Sequence, residues 1–265
     1  VSSGDTARPP VGLVRLVVVG LAGGFLSGLF GVGGGIIMVP LLVLLAHLDQ
    51  RRAAATSLAA ILPASISGSI GYLAGGQVDW WSALFVAIGS IVGSQLGTWL
   101  LRRLPVAVLR WGFIALLVVI AVRLLFAVPD RDTGALEITP LIALGLIAFG
   151  LFVGIASGLF GIGGGVLMVP VFISLFGMGD LLAKGTSLLV MIPTSISGTI
   201  ANLRARLVDW KQGLAVGLAA VVASFGGVAV SFVLSPLVAT WLFAGLLAFV
   251  IVQMTVRAIR LQRRG

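Results

Sequence analysis

The sequence predicts an all-α polytopic membrane protein, built as two inverted five-segment repeats with broken or re-entrant helices. Three observations predict it. The chain of 265 residues is 59% apolar and 9% charged, against about 25% charged residues in a soluble domain. Its apolar residues gather into ten segments, most near the ~20 residues that cross a ~30 Å hydrocarbon core. A glycine-rich stretch, Gly28-Leu-Phe-Gly-Val-Gly-Gly-Gly-Ile-Ile-Met-Val-Pro40, returns as Gly158-Leu-Phe-Gly-Ile-Gly-Gly-Gly-Val-Leu-Met-Val-Pro170, with ten of thirteen positions identical at an offset of 130.

Composition sets the class before any motif does. A net charge of +9 raises nucleic acid as a partner, but the arginines are scattered between apolar segments and do not form a stripe. They read as topology determinants. With no cysteine in the chain, disulfides, thiolate metal sites and cysteine relays are excluded. Residues 1–10 are polar, lack the basic start and cleavage signal of a secretory peptide, and are expected to form a disordered tail.

The segments run in order Val11–Phe30, Gly35–Ala46, Ala53–Leu73, Trp80–Leu101, Val106–Val128, Leu141–Phe160, Gly165–Phe176, Gly185–Leu203, Trp210–Leu234 and Leu237–Val256. The two after the glycine runs are half-spans of about a dozen residues, ~18 Å as helix. The repeat continues beyond the glycines without a gap. Thr56-Ser57-Leu58 matches Thr186-Ser187-Leu188, Ser65-Ile66-Ser67-Gly68 matches Ser195-Ile196-Ser197-Gly198, and Val78-Asp79-Trp80 matches Val208-Asp209-Trp210. The expected layout is a first transmembrane repeat at 11–128, a linker at 129–140, a second repeat at 141–256 and a basic cytoplasmic tail at 257–265.

Charge decides between parallel and inverted halves. If Val11–Ala46 doubles back as a hairpin and the N-terminus is cytoplasmic, only Arg123, Arg131 and Lys184 of the 17 Lys and Arg lie outside. If each half crosses four times, six lie outside, Arg51, Arg52, Arg102 and Arg103 among them. The positive-inside bias favours the hairpin, with five segments per half and both termini cytoplasmic in the cell membrane. Inverted repeats meeting at broken helices are a recurrent transporter plan.

The glycine runs are the first candidate site. Three adjacent glycines do not sustain a helix, since each costs ~1 kcal/mol relative to Ala, and a broken backbone in the membrane must find partners. A helix start carries partial positive charge and binds anions. Gly33, Gly34 and Gly35 with Gly163, Gly164 and Gly165 are therefore expected to hold an anionic group; the structural reading is close packing or a tight turn. Neither run is a phosphate-binding loop, because no Lys-Ser/Thr follows Gly35 or Gly165. Thr56, Ser57, Thr186 and Ser187 are placed at the start of the next segment, as helix caps or substrate donors. Ser65, Ser67, Ser195 and Ser197 follow a mid-segment proline and read equally as pocket lining or as hydroxyls bonded within their helix.

Asp79 and Asp209 precede a Trp at a segment start and read first as N-caps beside an interfacial anchor. A carboxylate that couples a proton or cation is the alternative. Lys184 reads as an ordinary interfacial lysine, with attraction of an anion as the second reading. Gly20/Gly24/Gly28, Gly150/Gly154/Gly158 and Gly89/Gly93/Gly97 show the four-residue spacing of close membrane-helix packing. No Ser/His/Asp, paired-carboxylate or metal cluster is found, so neither an enzyme nor a cofactor is expected.

The paired Gly-Leu-Phe-Gly-x-Gly-Gly-Gly-x-x-x-Val-Pro motifs, each followed by Thr-Ser-Leu, resemble the TauE/SafE sulfite-exporter family of membrane permeases, over nearly the whole chain. The resemblance implies transport of a small sulfur-containing anion: sulfite, sulfoacetate or a related organosulfonate. That family is drawn with about eight spans, and ten segments result from counting each glycine motif as a hairpin tip. Expected partners are a small anionic substrate and the lipid bilayer, with no nucleic acid; a homodimer stays open. Two other functions are retained: a proton- or cation-linked transporter of another solute using Asp79 or Asp209, and a non-transporting membrane receptor.

Overall fold

The computed structural model describes residues 12–124, 136 and 138–262. Ten helices appear among them: α1 (Leu13–Phe30), α2 (Gly35–Leu45), α3 (Gln50–Ala74), α4 (Trp80–Arg103), α5 (Val106–Leu124), α6 (Pro140–Phe160), α7 (Gly165–Ser174), α8 (Asp180–Arg204), α9 (Trp210–Val233) and α10 (Pro236–Gln262). Eight are long and apolar enough to cross a membrane, and α2 and α7 are shorter apolar helices. The chain is a multi-pass helical membrane protein.

Local chemistry sets the helix ends. Asp49 caps α3 by accepting from the amides of Arg51 and Arg52, both at 3.0 Å. Thr139 caps α6, followed by Pro140 in the first turn, where a missing N–H costs nothing. At the other end of α1, Gly31 turns left-handed at φ 69° and donates to Ser27 O; Gly161 does the same for α6 at φ 71° with Ser157 O.

Several starts and ends differ from the hydropathy pattern. α3 and α8 begin at Gln50 and Asp180, earlier than Ala53 and Gly185, because polar and charged residues that the pattern places outside the segments lie within these helices. The expected basic tail at 257–265 is helical as far as Gln262. The buried row Leu247, Val250, Met254, Ala258 carries the packed face of α10 that far, and Arg257 reaches Val43 O at 3.3 Å. Pro140, placed in the linker at 129–140, opens α6. The tail at 1–10 and most of that linker lie outside the described residues.

Packing joins the halves crosswise. α1 lies parallel to α9, with Gly20, Gly24 and Gly28 against Val216, Ala220 and Ser224. α4 lies parallel to α6, with Gly150, Gly154 and Gly158 against Val86, Ser90 and Ser94. A β-carbon at Gly24 would stand 2.3 Å from Ala220 O, and one at Gly154 2.3 Å from Ser90 O, so the helices meet backbone to backbone. Phe30 packs on Phe243 at 5.0 Å and Phe160 on Phe113 at 5.8 Å, equivalent residues in exchanged roles.

At the centre, α3 and α8 cross antiparallel. Gly68 meets Leu188 while Gly198 meets Leu58, and Gly185 meets Tyr72. Outward faces of the flanking helices expose Val119, Val122, Leu218, Val222, Phe249 and Val252, as surfaces facing lipid do.

Gly154→Leu should break the α4–α6 seam and lower the unfolding midpoint in detergent by the equivalent of about 1–3 kcal/mol, the usual cost of overpacking. Gly145→Ala, with nothing within 4 Å of the added carbon, should not lower the midpoint and gains helix propensity.

Candidate functional site

Each glycine loop is four residues long, Gly31–Gly34 and Gly161–Gly164, and joins a spanning helix to a short one. Three of the four positions in each take positive φ, ending with Gly34 at 68° and Gly164 at 90° as the residues that cap α2 and α7. Any side chain there would be strained. Gly35 and Gly165 have ordinary φ and are needed for a different reason. A β-carbon on Gly35 would stand 2.5 Å from Ile162 Cα, and one on Gly165 2.5 Å from Gly31 O and 2.7 Å from Val32 Cα. The two loops therefore touch each other directly.

They meet against the middles of α3 and α8. Gly33 and Gly163 face the same two side chains, Ile61 and Met191, which occupy equivalent positions in the repeat. Residues 31–35 and 161–165 are all buried. Among the described residues, the amides of Val32, Gly33, Gly34, Gly35 and Ile36, and those of Ile162 to Val166, donate to no protein acceptor. Buried unpaired N–H groups are rare and each costs about 1–3 kcal/mol. Ten such amides belong to two touching loops at the starts of α2 and α7, where helix dipoles add positive potential.

The hydroxyls next to the loops bind groups of the opposite half. Thr56, Ser57, Thr186 and Ser187 sit inside α3 and α8, two turns past the helix starts, and so cap nothing on their own helices. Ser57 Oγ donates to Gly161 O at 2.9 Å. Ser187 Oγ reaches Gly31 O and, at 2.8 Å, Lys184 O. Thr186 Oγ1 accepts from the Asp79 amide at 2.9 Å and Thr56 Oγ1 from the Asp209 amide at 3.3 Å. Except for Ser187 to Lys184, these bonds cross from one half to the other; the two serines give their one hydrogen to carbonyls, whereas the two threonines accept and keep theirs.

The second serine set divides. Ser67 Oγ donates to Ala64 O at 3.0 Å within its own helix. Ser197 Oγ accepts from Ser94 Oγ and Gln95 Nε2, both at 2.8 Å. Ser65 Oγ lies 3.9 Å from Met191 Sδ. Ser195 Oγ is buried without a partner among the described residues, since Ile61 stands where the equivalent sulfur would be.

Asp79 Oδ1 accepts from the amides of Trp81 and Ser82 at 3.1 and 3.2 Å, and Oδ2 from Ser82 Oγ at 2.8 Å. Asp209 Oδ1 accepts from Gln212 N at 3.2 Å. Both are helix caps, as the spacing before Trp predicts. Lys184 differs from the sequence reading. It is buried near the start of α8, its Nζ 2.7 Å from Asp180 Oδ2 and 3.4 Å from Ser231 Oγ. Reading the sequence by hydropathy missed this pair, although the i,i+4 spacing of Asp180 and Lys184 carried the signal.

Comparison with known proteins fixes the family. The model of the sulfite exporter TauE/SafE family matches residues 2–124 and 146–265. The chain is 31% identical over 225 residues to the probable membrane transporter protein YunE of Bacillus subtilis, covering 77% of this chain and 82% of that one. It is 28% identical over 193 residues to a probable membrane transporter protein of Haemophilus influenzae, covering 70% and 72%. Against the probable membrane transporter protein MamO of Magnetospirillum gryphiswaldense it is 35% identical over 127 residues, 45% of this chain but 20% of MamO. No solved structure matches.

The fold is that of a multi-pass helical membrane protein, and its relatives are named probable membrane transporter proteins. The chain belongs to the sulfite exporter TauE/SafE family.

Ser187→Ala leaves Gly31 O without its cross-half donor, and should lower thermal stability in detergent by about 1–3 kcal/mol. Ser67→Ala, which removes a bond within one helix, should change it less. Differential scanning of the purified variants decides between these outcomes.

Proposed function

We propose that this chain is a secondary transporter that carries a small sulfur-containing anion across the cytoplasmic membrane by alternating access. Sulfite, sulfoacetate and related organosulfonates are the substrate class. The anion is held by the backbone amides of residues 32–36 and 162–166, including Gly33, Gly34, Gly35, Gly163, Gly164 and Gly165. The observation that carries the reading is the contact between two loops whose buried amides have no protein acceptor. A sulfur oxyanion presents several acceptor oxygens and matches a convergent set of donors. Ser57 and Ser187 position the loops through their carbonyls and are not themselves the anion's donors.

Several features support inverted repeats. Equivalent helices α3 and α8 run antiparallel and pair reciprocally through Gly68 with Leu188 and Gly198 with Leu58. A twofold axis across both helices, near Pro63 and Pro193, has that effect, and it would turn the second half upside down. The loops then act as the tips of re-entrant hairpins α1–α2 and α6–α7. Arg15 reaches Leu45 O at 3.4 Å, Arg51 reaches Leu104 O at 2.7 Å and Arg257 reaches Val43 O. These contacts gather basic residues at one end of the bundle, in keeping with cytoplasmic termini.

Rocking of one sequence half against the other fits the packing poorly, because α1 is locked to α9 and α6 to α4. The bodies that move are mixed: the α1–α9 and α4–α6 seams travel as units around α3 and α8. Ile61 and Met191, which cover Gly33 and Gly163, are the side chains that must turn aside when the site opens. A carboxylate-coupled mechanism through Asp79 or Asp209 gains no support, since both carboxylates cap the helices they precede.

Calorimetric titration of the purified chain with sulfite, sulfate, thiosulfate and two-carbon sulfonates should show saturable binding of at least one sulfur anion and none of chloride at equal ionic strength. Absence of binding across the panel would overturn the proposal. Gly34→Leu is a poor test, because φ 68° and a β-carbon 2.1 Å from Gly23 O make it a folding defect. Met191→Phe, a larger cover over Gly33 and Gly163, should reduce sulfite exchange in proteoliposomes by ~10-fold or more while the protein still inserts.

A further inference from the structure

The repeat contains its own control experiment. Gly31 closes against Lys184: a β-carbon there would stand 2.6 Å from Lys184 Cα, 2.7 Å from Cβ and 2.9 Å from Cγ. Its equivalent, Gly161, closes against Ala54, with the corresponding carbon 2.5 Å from Ala54 Cα. The surroundings correspond position by position. Asp180, Tyr72 and Ser231 on the first side answer to Gln50, Asn202 and Leu101 on the second. The same backbone junction is thus built twice, once with a buried ion pair and once with neutral groups. The fold does not require the pair to close a glycine loop onto its helix.

What the charged copy adds is a buried cation carried by the residue whose stem closes against Gly31. The side chains of Asp180 and Lys184 are each 4% exposed, and Nζ is 2.7 Å from Oδ2. Tyr72 OH donates to Gly28 O at 2.8 Å and lies 2.8 Å from Ser231 Oγ, which in turn lies 3.4 Å from Nζ. The cluster therefore extends from the last turn of α1 to the lysine. A buried ion pair is weak evidence for stability, because desolvating two charges offsets their attraction. The lysine stem is flexible and its ammonium is a mobile point charge, anchored at Cα against Gly31 and turned one helical turn back to Asp180. At the other end, Gln50 Nε2 and both polar atoms of Asn202 are buried without partners among the described residues. One end of the route is charged and the other neutral.

We propose that Lys184 is a charged ligand of the transported anion, with Asp180 as the carboxylate it holds when the anion is elsewhere. The inference rests on the transporter reading above and adds a specificity residue to it. An anion at the α8 end of the route exchanges with Asp180 for the ammonium and passes between Lys184 and the amides that begin beyond Gly31. Because Ala54 stands in the equivalent place, the device works at one end only, and capture from the two sides of the membrane is unequal.

The test pairs a neutral double variant with the unaltered chain. Lys184→Gln combined with Asp180→Asn removes both charges together, which avoids stranding either one in the interior. It should insert and unfold normally yet bind sulfite ~10-fold or more weakly, the change expected when one charged hydrogen bond is lost. Asp180→Asn alone leaves the ammonium without its carboxylate; it should bind sulfite at least as tightly as the unaltered chain and exchange it more slowly. A double variant with unaltered sulfite affinity and exchange would reduce the pair to packing and overturn the proposal.

If the double variant does not fold, the unaltered chain decides by nitrogen-15 lysine labelling. Only Lys184 and Lys211 contribute side-chain signals, and Lys211→Arg assigns them. Sulfite must shift the Lys184 signal saturably, at the concentration that half-saturates binding; an unmoved signal rejects the role. If the unaltered chain binds no sulfur anion at all, the transporter reading fails and takes this one with it. If it binds sulfite while Lys184 is indifferent, only this assignment fails.

Discussion

Unpaired backbone amides inside a membrane protein are the constraint on which the rest of this structure depends. Lipid offers no acceptor, and water is excluded from a packed helical interior, so a break in a helix must be answered by protein or by ligand. Here two breaks are brought into contact and half-answered. Their carbonyls are taken by Ser57 and Ser187 from across the repeat boundary. Their amides are left over. Gly35 and Gly165 have no side chain because the opposing loop occupies that space.

The same economy of space governs the long helices. The α1–α9 and α4–α6 seams are lined with glycines whose missing β-carbons are replaced by the neighbour's carbonyls. Apolar side chains on the far faces then point outward, while Ile36, Met38, Leu58, Phe113, Leu146 and Phe172 fill the buried core between the seams. Because each seam joins helices from opposite halves, the core is shared between the two repeats. The Thr56–Asp209 and Thr186–Asp79 bonds make the dependence mutual: the hydroxyl of one half binds the amide that begins a helix in the other.

Against this near symmetry, the departures carry meaning. Ser65 has the Met191 sulfur beside it, while Ser195, whose repeat equivalent of that methionine is Ile61, has no partner among the described residues. Lys184 faces Gly31 where Ala54 faces Gly161. Both differences concentrate charge and polarizability on the α8 side of the contact. In the proposed carrier, substitutions of this kind would make the two approaches to the site unequal.

The sequence by itself determined the class, the repeat and the positions of the loops. Glycine cost, hydropathy and an offset of 130 residues are local or periodic properties that need no folded context. It also placed Asp79 and Asp209 correctly as caps, since a cap is recognised within its own turn. The partners of Thr56, Ser57, Thr186 and Ser187 lie more than 100 residues away in the chain, and no spacing rule reaches that far. Nor could hydropathy show that Lys184 is buried, because a charged residue reads as a segment end unless its partner is seen. Only the tertiary structure decided that the two loops touch, that the hydroxyls hold carbonyls, and that the lysine is paired inside, because each of these is a contact between surfaces that the chain meets only after folding.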